Sequence, residues 1–216
     1  MLVNTLSIVG RRIGWALLIA LVGYFFLRDV PHYAIYTPDS YAEYWATRGY
    51  LVPHVIGAGV GILVGIFQFS STIRRRWPVF HRRLGLGYVI GCAIGAPAAI
   101  GLAVHSDCAV CRPALGSLAV YWFGATFVAF ALARRRDFTR HRQFMIRSFV
   151  AMNAFVIIRV AYKTPIPGLD AIEHRIVAEY LSCFVPLLAT EVWLSWRAAL
   201  AASPHSGRRD NPATAA

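Results

Sequence analysis

Charge is what this chain has least of. Only 15% of its 216 residues are charged, and Asp and Glu together number 10. A soluble domain carries about a quarter charged residues, so this composition cannot supply a water-facing surface. The short signatures of phosphate, metal and nucleophilic chemistry are missing too. There is no Gly-rich phosphate loop, no H-E-x-x-H and no exposed Ser/His/Asp arrangement. No soluble catalytic domain is present, and no carboxylate pair is set up within the apolar segments. A hydrolase or transferase would have to carry its site inside a helical bundle.

What fills the chain is apolar. It is 57% hydrophobic with a mean hydropathy of +0.52, which places it among polytopic membrane proteins. Apolar runs at about 13–27, 52–73, 84–104, 115–133, 143–162 and 176–197 predict an all-α, six-transmembrane-helix bundle. This is one membrane domain over 1–197, followed by a small, polar tail at 198–216 that is expected to be disordered. The first run follows Arg11-Arg12 and has no small-x-small cleavage site after it, so it reads as a retained anchor rather than a secretory signal.

The formal net charge is +12. Its distribution argues against nucleic acid. Arg11, Arg12, Arg74, Arg75, Arg76, Arg82, Arg83, Arg134, Arg135, Arg136, Arg140, Arg142, Arg147, Arg197, Arg208 and Arg209 flank one set of segment ends. Arg28, Arg48, Arg112, Lys163 and Arg175 flank the other, and Arg159 lies within a segment. This asymmetry is the positive-inside pattern. It predicts cytoplasmic N and C termini and contact of the basic loops with anionic lipid headgroups. Nothing in the sequence identifies a protein partner.

Two of those basic loops resemble each other. Residues 74–82 read RRRWPVFHR and residues 134–142 read RRRDFTRHR, an offset of 60. The same offset maps Pro53 onto Pro113, but the residues between match poorly. Segments two–three and four–five are either repeated hairpins related by an axis along the membrane normal, or two basic loops that charge rules alone produced. Segments two and three carry small-residue stripes, Gly57/Gly61/Gly65 and Gly87/Gly91/Gly95, which predict close helix packing. The connection 28–51 is rich in Tyr and Trp. It reads as an interfacial loop, or as a short amphipathic helix at about 39–48 capped by Asp39 or Ser40.

Ionisable groups inside spans are costly and usually pair. Antiparallel helices put two residues at one depth when their numbers share a sum. Arg159 with Glu179 and Arg147 with Glu191 share one, and each is a candidate ion pair. The alternative is that Arg147 and Glu191 reach the interface unpaired. Twelve residues turn a helix by about 1200°, so one face does not serve both pairs without rotation or crossing.

Histidines offer the main route to chemistry. If the repeat is real, His81 and His141 face one another across the bundle as axial ligands of a b-type haem. Arg82 and Arg142, with Arg75 and Arg135, would neutralise its propionates, and the glycine stripes would give it room. At the other end, His54 with His105 or His174 would form a second, weaker pair. Alternatively these histidines are interfacial hydrogen-bonders. Cys92 and Cys183 are packing residues. His105, Asp107, Cys108 and Cys111 form H-x-D-C-x-x-C in an outer loop. A local Cys108–Cys111 disulfide is the default there, and copper or zinc binding is open if the pair is reduced.

His81-Arg82-x-x-Gly85-x-x-Tyr88, with Gln68 upstream and His141-Arg142-x-x-Met145-Ile146-Arg147-Ser148 downstream, resembles a bacterial family of predicted multi-spanning membrane proteins over about residues 50–162. The resemblance implies fold and a bacterial cytoplasmic-membrane location, and no reaction. A looser likeness links the chain to di-haem cytochrome b561 and ferric-reductase-like bundles, through histidines on alternate helices. Two functions follow: a b-type haem transmembrane electron carrier, or a non-enzymatic accessory subunit, assembly factor or small-molecule carrier.

Overall fold

The computed structural model describes residues 2–164 and 166–202. These residues form α1 (Leu2–Arg28), α2 (Pro38–Tyr41), α3 (Arg48–Gln68), α4 (Ser71–Arg76), α5 (Pro78–Val104), α6 (Arg112–Arg134), α7 (Phe138–Ala161) and α8 (Ala171–Ala202), with short 3-10 turns between some of them. Six stretches, one in each long helix, are long and apolar enough to cross a membrane. The shortest of these helices, α3, has 21 residues. At 1.5 Å per residue it is about 31 Å long, enough for the hydrocarbon layer. The molecule is a multi-pass, all-helical membrane bundle.

The helices run past the apolar stretches that announce them. α7 begins at Phe138, before the expected 143, because the Asp137 side chain accepts from the Arg140 N–H at 3.0 Å. α8 begins at Ala171, not 176, behind a capping box in which Asp170 and Glu173 satisfy each other's backbone N–H groups at 2.8 and 3.2 Å. α5 begins at Pro78, whose fixed φ suits the first helical position. Hydropathy marks only the part of a helix that sits in hydrocarbon, whereas arginines at a helix end stay helical and extend into the headgroup layer.

Two expectations are corrected. Segment two does not run to 73: α3 stops at Gln68, and Ser70 accepts from Ile73 N–H to start α4. The interfacial helix at 39–48 is only the four residues of α2, and its cap is Thr37 rather than Asp39 or Ser40. Pro38 takes the first helical position, which moves the cap one residue upstream, and a positive φ of 44° at Ala42 ends the helix. The aromatic loop folds instead on itself, with the Tyr41 hydroxyl donating to the Tyr33 carbonyl at 3.0 Å. α8 continues through Ala202, so the expected tail begins later than 198. The rest of that tail lies outside the described residues.

From α3 onward consecutive long helices are neighbours in space, whereas α1 packs on α7, and the α3–α5 contact is the most extensive. Its cause is the two glycine stripes. A Cβ on Gly57 would sit 2.4 Å from the Gly91 carbonyl oxygen, and one on Gly95 3.0 Å from the Ala58 nitrogen. The helices touch backbone to backbone, as small residues four apart allow. Trp15, Leu18, Leu21, Phe25 and Phe26 of α1 pack against the core, which centres on Tyr88, Trp122 and Met152. Large apolar side chains such as Leu63, Ile90, Leu188 and Val192 remain exposed. In water they would form an untenable patch, and in a bilayer they are the lipid-facing surface. The repeat's proline register does not carry into structure: Pro53 lies inside α3, whereas Pro113 opens α6.

Gly57→Ala is expected to destabilise the bundle by roughly 1–3 kcal/mol through overpacking. Gly87→Ala is expected to be nearly silent, because nothing lies within 4 Å of its added Cβ. Thermal unfolding of the two variants in detergent checks the contrast.

Candidate functional site

α5 and α7 both start at the basic end and run parallel. Mid-bundle they are joined by a hydrogen bond of 2.8 Å between Tyr88 Oη and Ser148 Oγ. Ser148 Oγ lies 2.6 Å from Thr126 Oγ1, which donates to the Trp122 carbonyl at 2.8 Å. All four residues are 0% exposed. Tyr88 and Ser148 are separated by 60 residues, the offset that relates His81 to His141. Each follows its histidine by two helical turns, about 10 Å along the axis, and lies on the same face. His81 and His141 therefore occupy corresponding faces of two parallel helices, and they lie within electrostatic range of each other.

The two rings are held differently. His141 Nδ1 is 2.8 Å from the Ala129 carbonyl, so in the tautomer that donates there Nε2 keeps a free lone pair. His81 Nδ1 is buried without a partner, and the His81 carbonyl accepts from Gln68 Nε2 at 2.9 Å. That bond pins the start of α5 to the end of α3. Arg82 and Arg142 are exposed beside them. Of the stripe glycines only Gly87 is open, and the other five leave no room for a porphyrin. Gly57, Gly91 and Gly95 are closed by backbone, Gly61 by Met152 and Gly65 by Phe149.

The other three candidate histidines are each tied to a different place. His54 Nδ1 is 3.0 Å from the Gly95 carbonyl, and its ring meets Phe155 edge-on at 5.1 Å. His105 stacks on Tyr50 at 5.3 Å and turns Nδ1 to the Gly101 carbonyl. His174 Nε2 lies 3.2 Å from the Ala161 carbonyl. No described contact joins His54 to His105 or His174. Cys108 and Cys111 are joined in a disulfide, and Cys92 and Cys183 are buried free thiols. Among the described residues no group of three or more His, Cys, Asp or Glu is placed to hold a metal ion.

Arg147 and Glu191 meet in a two-pronged pair, Nε–Oε1 at 2.6 Å and Nη2–Oε2 at 2.8 Å, joined by the Tyr121 hydroxyl at 3.2 Å. Arg159 and Glu179 do not pair. Equal depth is insufficient, because twelve residues leave Arg159 about 120° around the helix from Arg147. Glu179 is 1% exposed. Its Oε1 accepts from the Tyr162 hydroxyl and from Arg175 Nε, one helical turn away at 3.3 Å. Its Oε2 is buried with no partner. Arg159 instead donates to the Tyr44 hydroxyl at 3.3 Å and lies 5.3 Å above that ring. Glu43, Tyr44, Arg159, Tyr162, Ala171, His174 and Arg175 line a cavity of about 280 Å³ at this end.

A family model matches residues 51–194, which span α3 to α7 and most of α8. The chain belongs to the family described as Predicted membrane protein (DUF2306). The match takes in the Tyr88–Ser148–Thr126 string and the Arg147–Glu191 pair and excludes α1. No curated protein and no solved structure matches the chain.

Within the family-matched region, Tyr88 and Ser148 were visible as the eighth positions of the two histidine-arginine motifs, although their contact was not. Tyr44 precedes the matched region and Tyr162 carries no motif. Interfacial aromatic density was the only signal for Tyr44. The loop before α6 is also organised by an arginine on α8. Arg175 pairs with Asp107 at 2.8 Å, and the Cys108 N–H donates to Asp107 Oδ1 at 3.0 Å. The hydrogen bond from Arg175 holds the Asp107 carboxyl below its ordinary range. A lowered folded-state pKa stabilises above the unfolded value of about 3.9 and loses that effect as pH falls through the folded value. Asp107 is largely exposed, so solvent screens most of the gain. Amide exchange in residues 105–111 is expected to quicken in Asp107→Asn and on reduction of the disulfide, and below about pH 4 in the wild type. Hydrogen–deuterium exchange with mass spectrometry measures all three.

Proposed function

We propose that this protein is a b-type haem membrane protein that carries electrons, with His81 and His141 as axial ligands. One observation supports the proposal: Tyr88 and Ser148, each seven residues after its motif's histidine, are hydrogen-bonded to each other. The donor set suits the group. Two imidazoles come from parallel helices. One has its ring fixed by a carbonyl, as ligating histidines usually do. The other has a buried ring nitrogen with no partner, a condition that costs about 1–3 kcal/mol and that a reoriented, ligating ring would relieve. When bound, haem supplies one-electron redox chemistry. The chain's own parts in this scheme are positional. Gln68 fixes the first turn of α5, and the Ala129 carbonyl fixes the His141 ring. Arg82 and Arg142 would meet the propionates with charge-assisted bonds at the headgroup level. The proposed setting is a bacterial cytoplasmic membrane, with the basic loops inside and against anionic lipid.

The cavity at the opposite end favours a second function, a non-enzymatic small-molecule carrier or accessory subunit, in which the histidines are interfacial hydrogen-bonders. Colour separates the two. Protein purified from haem-replete cells is expected to show a Soret band that moves on dithionite reduction. The band is expected to be lost in His81→Ala and in His141→Ala and kept in His105→Ala. A colourless wild type, or a full band in His141→Ala, overturns the haem assignment.

A further inference from the structure

We infer that the cavity between the aromatic loop and the ends of α7 and α8 is a binding site for small monocarboxylates. Its centre is Arg159. A guanidinium has five N–H donors and cannot lose its charge in a protein. Among the described residues no carboxylate lies within ion-pair distance of Arg159, and its one hydrogen bond goes to a phenol. A cation within a membrane span ordinarily finds an anion. The buried acid at this depth, Glu179, gives Oε1 to Tyr162 and Arg175 and makes no ion pair with Arg159 through Oε2, and Arg175 is in turn held by Asp107.

The remaining donors converge. Tyr44 accepts from Arg159 through its oxygen, and no described acceptor takes its O–H. Arg159 and Tyr44 together present a guanidinium edge and a hydroxyl to one oxyanion, the fork geometry that suits a carboxylate. Tyr44, Tyr162 and Ala171 give the walls for a short apolar or aromatic body, and about 280 Å³ limits the guest to a few carbons or one ring. Glu43 is exposed on the same lining. Its charge repels a second carboxylate on the guest, and the other arginine of the lining, Arg175, is already paired with Asp107 and Glu179, so the site selects monocarboxylates over dicarboxylates.

The test is calorimetric titration of the full chain in phosphatidylcholine nanodiscs with benzoate, succinate and inorganic phosphate. Benzoate is expected to bind saturably, and succinate about tenfold or more weakly. Losing the charged donor in Arg159→Gln is expected to weaken benzoate about tenfold or more, and Tyr44→Phe about three- to tenfold. Glu43→Gln is expected to narrow the gap between benzoate and succinate. Tyr44→Phe removes one oxygen at a half-buried site, so it decides the matter even if Arg159→Gln fails to fold. No saturable benzoate binding, unchanged affinity in Tyr44→Phe, or phosphate binding as tightly as benzoate would each overturn the assignment. Haem plays no part in this titration. A colourless protein leaves the site intact, and a failed titration leaves the haem assignment intact.

Discussion

The bundle depends on how closely α3 and α5 approach. In hydrocarbon no hydrophobic drive holds helices together, so contact quality must do it. Glycine at 57, 91 and 95 lets two backbones touch along one seam. It carries the Gly95 carbonyl to His54 at one end and Gln68 to the His81 carbonyl at the other. Because the seam fixes the tilt and rotation of α5, it also fixes where Tyr88 points, and hence the level at which α7 docks.

α5 and α7 then behave as a pair. Their shared register makes Tyr88 and Ser148 partners and leaves His81 and His141 both at the basic end. The other end is built on different principles. There the aromatic loop, the last turn of α7 and the first turns of α8 line one cavity, and Arg175 on its wall pairs with Asp107 of the disulfide loop. Lys163 pairs with Asp29 at 2.5 Å, which brings the end of α1 to the end of α7. The two ends thus differ in kind, one carrying His81 and His141 at the starts of two parallel helices, the other built around Arg159 and Arg175.

Much of this was legible in the residues. Hydropathy located six spans, and the glycine spacing named the tightest helix pair. The Arg147–Glu191 contact follows from equal depth, because those residues also share a facing surface. Arg159 and Glu179 show where depth alone fails: rotation about the helix axis decides partners, and each found a nearer one in Tyr44 or Arg175. The room a porphyrin was expected to take from the glycine stripes was misjudged for a related reason. A missing side chain reads as space in a sequence, but in a packed bundle a neighbour fills it, as Phe149 fills the side of Gly65. Helix ends were misplaced because caps such as Asp137 and Asp170 are polar and lie outside any apolar run.

The buried hydroxyl string has a direction. Thr126 gives its hydrogen to the Trp122 carbonyl, so Ser148 must give to Thr126, and Tyr88 to Ser148. The string ends on an amide oxygen that has no proton to pass on. It is a dead end for proton hopping, placed in the driest part of the molecule. Protons cannot cross the centre along these hydroxyls. The string works as a polar rivet that fastens α5, α6 and α7 at one depth.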